Sequence, residues 1–320
     1  SGGFQIGKGV WEGDWKDPKC PKAQKKREQV LAWMDAYMDY GMILDIPAWV
    51  ARSPAGVKAT GISTYQEAVD ATRINNDYFM KNRNGNCKFL NVLQGENHAD
   101  AEDWYQQMKD YCDPTKYPDT HFNGWSMGGQ NMCDIHLVLK RIVALRFDGL
   151  LEQGLHDFMH FLGTSKLEWA TLLTDIQRAV RKYHNPNFTI TFDCASPFLA
   201  TANGQIYIQT ETKDRTKWVY RMVPSIDELK YATDTRNFRD GVLADGIFKN
   251  FTDSPLTENI KVNDVCIYGV TLMQYKKQTD NTTVEVFRQC LWRSSSTGYI
   301  LEMLWKQYLQ LQTETKQTRS

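Results

Sequence analysis

Two carboxylates and an amide stand where apolar runs of the sequence stop. Asp193 ends the run Phe188-Thr189-Ile190-Thr191-Phe192, Asp45 ends Gly41-Met42-Ile43-Leu44, and Gln94 ends residues 87–93 and is followed by Gly95. Glycines close two further runs: Gly128 and Gly129 follow Trp125-Ser126-Met127, and Gly163 follows Phe161-Leu162. A carboxylate can attack an electrophilic carbon or accept hydrogen bonds, an amide side chain donates and accepts, and a glycine leaves its backbone N–H open to a ligand. Each residue also has an ordinary reading, since a strand-end Asp caps helices, a Gly-Gly pair turns the chain and Leu162 would fill a core. What carries weight is their recurrence at successive strand ends.

The intervening segments position these tips. Residues 188–193 alternate aromatic, β-branched and aliphatic side chains, which suits a pleated, half-buried strand. Apolar spacing predicts helices over 22–40, 65–82, 99–111, 132–151 and 167–183, the fourth with a core stripe of Ile135, Val138, Leu139, Ile142, Val143 and Leu145. Strand tips then fall near residues 45, 94, 128, 162 and 193, with a helix in each interval. That alternation predicts an α/β fold with a parallel sheet, open or closed into a barrel, whose carboxyl ends surround the pocket. Ser1-Gly2-Gly3-Phe4-Gln5 reads as a functional loop at the start of a fragment, and residues 6–22 as further loop. Beyond Gly204 the rhythm breaks: residues 206–210 and 217–220 alternate like a hairpin, 225–248 look helical in parts, 265–275 and 283–292 look like strands, and 297–312 like a closing helix.

In order, the tips read Ser1-Gly2-Gly3-Phe4-Gln5, Leu44-Asp45, Leu93-Gln94-Gly95, Gly124-Trp125-Ser126-Met127-Gly128-Gly129, Phe161-Leu162-Gly163 and Phe192-Asp193-Cys194-Ala195-Ser196-Pro197. This series resembles the segments of the guanine transglycosylase superfamily, (β/α)8 TIM-like barrel enzymes that exchange guanine for a 7-deazaguanine. The resemblance covers residues 1 to about 207. It implies an N-terminally truncated barrel over 1–207, from the end of the third strand to the eighth, and an α+β C-terminal region over 208–320. It implies that Asp193 is the nucleophile, attacking C1′ to form a covalent glycosyl-enzyme as retaining glycosidases do. Asp45 would accept from N1–H and the 2-amino group, Gln94 would bond O6 or N7, and the backbone beside Gly128 and Gly129 would meet O6. Phe4 and Leu162 would sandwich the ring, with Ser1 and Gly163 lining the site. The family's general acid/base Asp immediately precedes the first segment, so the 320 residues beginning at Ser1 are expected to be chemically crippled.

Departures from the family direct the choice of substrate. After the nucleophile, where the tRNA enzymes carry Thr-Arg-x-x-Arg, the sequence has Phe198, Leu199 and Ala202, so the two arginines are replaced by Leu199 and Ala202. After Cys194 only Cys266 and Cys290 remain, and no His follows His184, so the structural zinc site of the tRNA enzymes cannot be built and no metal or other cofactor is expected. The retained pocket without these features resembles the DNA-modifying branch found in phages and genomic islands, which implies DNA and a preQ0-like 7-deazaguanine as partners. A tRNA enzyme with atypical RNA recognition and a non-catalytic base-binding or nucleic-acid-binding partner subunit stay open as alternatives, as do an accessory protein and a homodimer. His156 and His160, expected on one face of a strand, and Cys133 and His136, on a helix, are read as structural or solvent-facing.

Composition narrows the classes further. Thirty-eight basic residues balance thirty-eight acidic ones, so nucleic acid must be held by a local patch; Lys213, Arg215, Lys217, Arg236, Arg239, Lys276 and Lys277 are candidate phosphate contacts, each with a solvated surface as its ordinary reading. Seven scattered cysteines and no long apolar run fit a reducing cytoplasm, of a bacterium or a phage-infected host, and no membrane partner.

Overall fold

A computed structural model describes residues 2–164, 167–194, 205–211, 213, 219–224, 226–246 and 259–269. The chain divides into two compact units, residues 1–193 and 194–320.

The first unit is built on five parallel strands in sequential order: β1 (Tyr40–Met42), β2 (Lys88–Leu93), β3 (Gly124–Met127), β4 (Phe158–Phe161) and β5 (Thr189–Phe192). Helices α1 (Gly2–Gly7) and α2 (Pro21–Tyr37) precede β1, α3 (Pro54–Thr60) and α4 (Tyr65–Asn82) lead to β2, and α5 (His98–Met108), α6 (Ile135–Phe147) and α7 (Leu167–Tyr183) each connect the next pair. The sheet is curled, forming a half-barrel: Tyr40 on β1 and Phe158 on β4, three strands apart in order, stack face to face with ring centroids 4.3 Å apart. An aromatic pair at that distance bridges non-neighbouring strands only across a concave face.

Local sequence sets where each helix begins. Thr64 and Glu67 form a reciprocal capping box at α4, Asn97 accepts from Asp100 N–H at α5, Asp134 accepts from Leu137 N–H at α6, and Ser53 accepts from Gly56 N–H at α3. The βα turns therefore end in caps whose side chains occupy the first free amides of each helix. Trp104 on α5 donates its indole N–H to Val92 O at 3.0 Å, and Trp125 on β3 donates to Leu150 O at 2.9 Å, pinning helix layer to sheet.

Register decides which side chains share a face. Val92 pairs with Ser126, Ser126 with His160, and His160 with Thr191; two residues further along each strand and on the same face follow Gln94, Gly128, Leu162 and Asp193. The opposite row, Asn91, Trp125, Met159 and Ile190, faces the helices. The parallel register thus brings four of the sequence-derived positions to one level of the concave side.

Several expectations are corrected. The opening segment is helical over Gly2–Gly7, where a loop is expected. Helix α6 is shorter than 132–151, and its buried positions are Leu137, Val138, Arg141 and Leu145, while Leu139 and Val143 are exposed. Arg141 takes a place on the buried face: its Cζ lies 4.0 Å from the centre of the Tyr105 ring and its Nη2 donates to Ala101 O at 3.0 Å, so a cation occupies a core position. His156 lies in the turn before β4, bonded through Nε2 to Cys112 O at 2.8 Å, so it shares no strand face with His160. Burial lowers its pKa.

The second unit holds an antiparallel hairpin of β6 (Gln205–Glu211) and β7 (Val219–Pro224), and a small cluster of Ile226, Tyr231, Phe238, Val242, Ile260 and Val262 around the helix Phe238–Asp245. Val262–Val265 is a short helix, against the strand expected from 265. Cys266 makes an isolated bridge to Ile226 and residues 267–269 turn, so no strand starts there, while residues 270–275, the strand over 283–292 and the helix over 297–312 lie outside the described residues. Arg236 is held between Asp234 (2.6 Å) and Asp245 (2.5 Å), so its charge is already matched within the chain. No helix among the described residues is long and apolar enough to cross a membrane.

Strand β3 approaches β4 so closely that a Cβ on Gly124 would lie 2.2 Å from Phe158 O. Gly124→Ala is therefore expected to destabilise the first unit by about 1–3 kcal/mol in urea denaturation, and an unchanged midpoint would contradict this packing.

Candidate active site at the strand tips

The site begins with the turn after β1. Asn75 and Thr72, neighbours on α4, hold the backbone on either side of Asp45: Asn75 Nδ2 donates to Leu44 O at 2.6 Å, and Ile46 N donates to Thr72 Oγ1 at 2.9 Å. Asn75 is itself oriented by buried Arg27, whose Nε donates to its Oδ1 at 2.7 Å. The Asp45 carboxyl is thereby fixed inside the unit, with the residue only 4% exposed.

Its side chain is joined to Gln94, whose Nε2 donates to Asp45 Oδ2 at 2.7 Å. Burial pushes the Asp45 carboxyl up to about 6, the Gln94 bond offsetting part of the desolvation. Glycines give the pair its room. A Cβ on Gly3 would meet Asp45 O at 2.3 Å and Oδ1 at 2.8 Å, and a Cβ on Gly128 would meet Gln94 Nε2 at 2.6 Å. Gly129 combines a φ of +55° with a Cβ position 2.3 Å from Gly95 O, so no other residue is accommodated there. The Gly128 and Gln130 amides are engaged by Leu93 O and Gly95 O, and Asn131 Nδ2 ties the turn to Gln94 O at 3.1 Å and Gly128 O at 3.2 Å.

A second group forms on the last two strands. Asp193, immediately past β5, accepts at Oδ1 from His160 Nε2 (3.1 Å) and from Gly163 N–H (3.3 Å), and its side chain is 68% exposed. The other ring nitrogen of His160, Nδ1, lies 2.7 Å from Thr191 Oγ1. Leu162 is half-buried against the core, its N–H bonded to Met127 O at 3.0 Å.

The sequence-derived residues thus fall into two contacting groups, Asp45 with Gln94, Gly128 and Gly129, and Asp193 with Gly163. Phe4, 48% exposed on α1, leans on Trp49 with ring centroids 6.1 Å apart, and Lys8 Nζ sits 5.3 Å from its ring centre. Ser1 lies outside the described residues. Sequence reasoning missed Thr72, Asn75 and Arg27, whose roles arise from tertiary approach, and it read His160 as structural. The signal for His160 was present: it stands two residues before Leu162 on an alternating strand, hence on the same face as the tips.

Chemically, the first group offers a dry carboxyl and an amide edge for a polar planar ligand, and the second an accessible carboxylate steadied by two donors. Among the described residues no group of three or more His, Cys, Asp or Glu could hold a metal ion. No protein-family model matches the chain, and no curated protein matches it significantly.

A buried carboxyl with a raised pKa opposes folding once ionised; the penalty is complete above about pH 6 and vanishes below the ordinary carboxyl range near 4. Asp45→Asn, which keeps an acceptor for Gln94, is expected to stabilise the protein at pH 8 by about 1–3 kcal/mol, with the gain gone at pH 4. Urea denaturation at both pH values checks this, and a less stable variant at pH 8 would contradict it.

Proposed function

We propose that this protein is a guanine transglycosylase that exchanges guanine in DNA for a preQ0-like 7-deazaguanine through a covalent glycosyl-Asp193 intermediate. The observation that carries the reading is the pair of Asp45 and Gln94, buried and hydrogen-bonded at two strand tips, in the unit that presents Asp193 as an accessible carboxylate. Guanine and a 7-deazaguanine both display adjacent N–H donors at N1 and the 2-amino group, which match an ionised Asp45, and an acceptor at O6, which matches the Gln94 amide or the Gly129 N–H, guanine alone adding an acceptor at N7. Adenine presents the opposite pattern along that edge and would leave the carboxylate unpaired, so discrimination follows from burial.

In this reading Asp193 attacks C1′ as the C1′–N9 bond breaks, and a general acid protonates the departing purine. The incoming base then displaces the carboxylate, and two inversions give net retention. Phe4 and Leu162 cover the faces of the ring. A base within a duplex must first be turned out of the stack, at roughly a few kcal/mol. The half-barrel represents the last strands of a (β/α)8 barrel, with the reaction in the cytoplasm of a bacterium or phage-infected cell. DNA is favoured over tRNA because Leu199 and Ala202 stand where the tRNA enzymes place arginines.

The test is a competition in which protein expressed from its complete reading frame is given duplex DNA, tRNA and a radiolabelled 7-deazaguanine. Label is expected in DNA, and Asp193→Asn should lower incorporation by about a thousandfold or more. Label in tRNA alone, or undiminished labelling by the variant, would overturn the proposal.

A further inference from the structure

We infer that His160 is a positioning residue for Asp193, holding one carboxylate oxygen so that the other is the attacking atom, and that Thr191 sets the imidazole tautomer that makes this possible. The inference rests on the reading of Asp193 as the nucleophile. Three observations support it. The two hydrogen bonds that Asp193 accepts among the described residues, from His160 Nε2 at 3.1 Å and Gly163 N–H at 3.3 Å, converge on Oδ1. Oδ2 is therefore the oxygen left to meet a substrate carbon. The His160 ring is packed in, its side chain 10% exposed, so its orientation is imposed by its surroundings and not by solvent. Finally, His160 and Thr191 are cross-strand partners in the β4–β5 register, which places Thr191 Oγ1 2.7 Å from Nδ1.

The roles follow from the chemistry of the groups. A neutral imidazole has one donor and one acceptor nitrogen. An ionised carboxylate only accepts, so Nε2 must carry the hydrogen that bridges to Oδ1. Nδ1 is then the acceptor, and the Thr191 hydroxyl is its donor. The relay Thr191 O–H to Nδ1, Nε2–H to Oδ1, fixes the carboxylate plane without moving a proton. As Oδ2 bonds to C1′, the C1′–N9 electron pair passes to the purine, which a general acid protonates, and Oδ1 becomes the ester carbonyl. In the second half-reaction N9 of the incoming base bonds to C1′, the C1′–Oδ2 pair returns to the carboxylate, and the base gives up its N9 proton to a general base. Charge reappears on a carboxylate whose Oδ1 already faces two donors, so the leaving group is stabilised as it forms. Gly163 supplies the second donor from a φ of +70°, where a side chain would be strained although an added Cβ would meet Met132 Sδ only at 3.8 Å.

The experiment compares wild type, His160→Leu, His160→Gln and Thr191→Val, each from the complete reading frame, in single-turnover exchange on DNA and in equilibrium binding of free 7-deazaguanine. His160→Leu is expected to slow the chemical step about a hundredfold with base affinity unchanged, because the pocket of Asp45 and Gln94 is untouched. His160→Gln, whose amide N–H reaches toward the place of Nε2–H, should recover most of that loss, which a purely structural role for the ring would not produce. Long-range nitrogen NMR of the wild-type imidazole should show the Nε2–H tautomer, and Thr191→Val should mix in the other. A His160→Leu enzyme as fast as wild type, a glutamine variant no better than leucine, or an Nδ1–H tautomer in the wild type would each overturn the inference. Absence of exchange by wild type on both DNA and tRNA would instead remove the transglycosylase reading on which it rests.

Discussion

The constraint on which the first unit depends is a carboxyl group kept out of water. Among the described residues the Asp45 side chain is bonded to Gln94, and its burial holds it in place at the expense of easy ionisation. Arg27 orients Asn75, Asn75 and Thr72 fasten the chain on both sides of Asp45, and Gly3 and Gly128 omit the side chains that would collide with the pair. A folded protein has no structural need for such a carboxyl, which an amide could replace with a gain in stability. Its retention is intelligible if a ligand supplies the missing donors.

The second group has the opposite environment. Asp193 is largely exposed, and its hydrogen bonds among the described residues both meet Oδ1. One fold supplies both because a parallel sheet delivers every strand's last residue to the same edge while the neighbouring strands differ in how much they cover. The half-barrel places Asp45 beneath α1 and leaves Asp193 at the end of the last strand of its unit, so one carboxyl is dry and the other wet; the proposed function would assign base recognition to the first and attack on the sugar to the second.

Much of this arrangement was legible in the residues. Strand tips at Gln94, Gly128, Leu162 and Asp193 could be located because apolar runs ending in an acid, an amide or glycine mark the end of a buried strand, whereas the caps Thr64, Asn97 and Asp134 that set the helix starts went unread. The parallel order β1 to β5 followed from the alternation of elements. What could not be read was set by tertiary approach. The core place of Arg141 depends on Tyr105 beneath it, which no apolar stripe reveals, and no periodicity connects Arg27 to Asn75 across two helices. The helix at Gly2–Gly7 was hidden by its glycines, whose low helical propensity is overridden by the closeness of Asp45, Leu44 and Trp49. His160 was obscured by its pairing in sequence with His156, which belongs to a turn.

The account's central claim is that an ionised Asp45 reads the N–H edge of a guanine-type base. Calorimetric titration of the free bases across pH tests it most directly. A guanine-type 7-deazapurine should bind at pH 8, lose affinity as the pH falls through about 6 and Asp45 takes up its proton, and adenine should fail to bind at either extreme. Equal affinity for adenine, or affinity that rises as the pH falls, would contradict it.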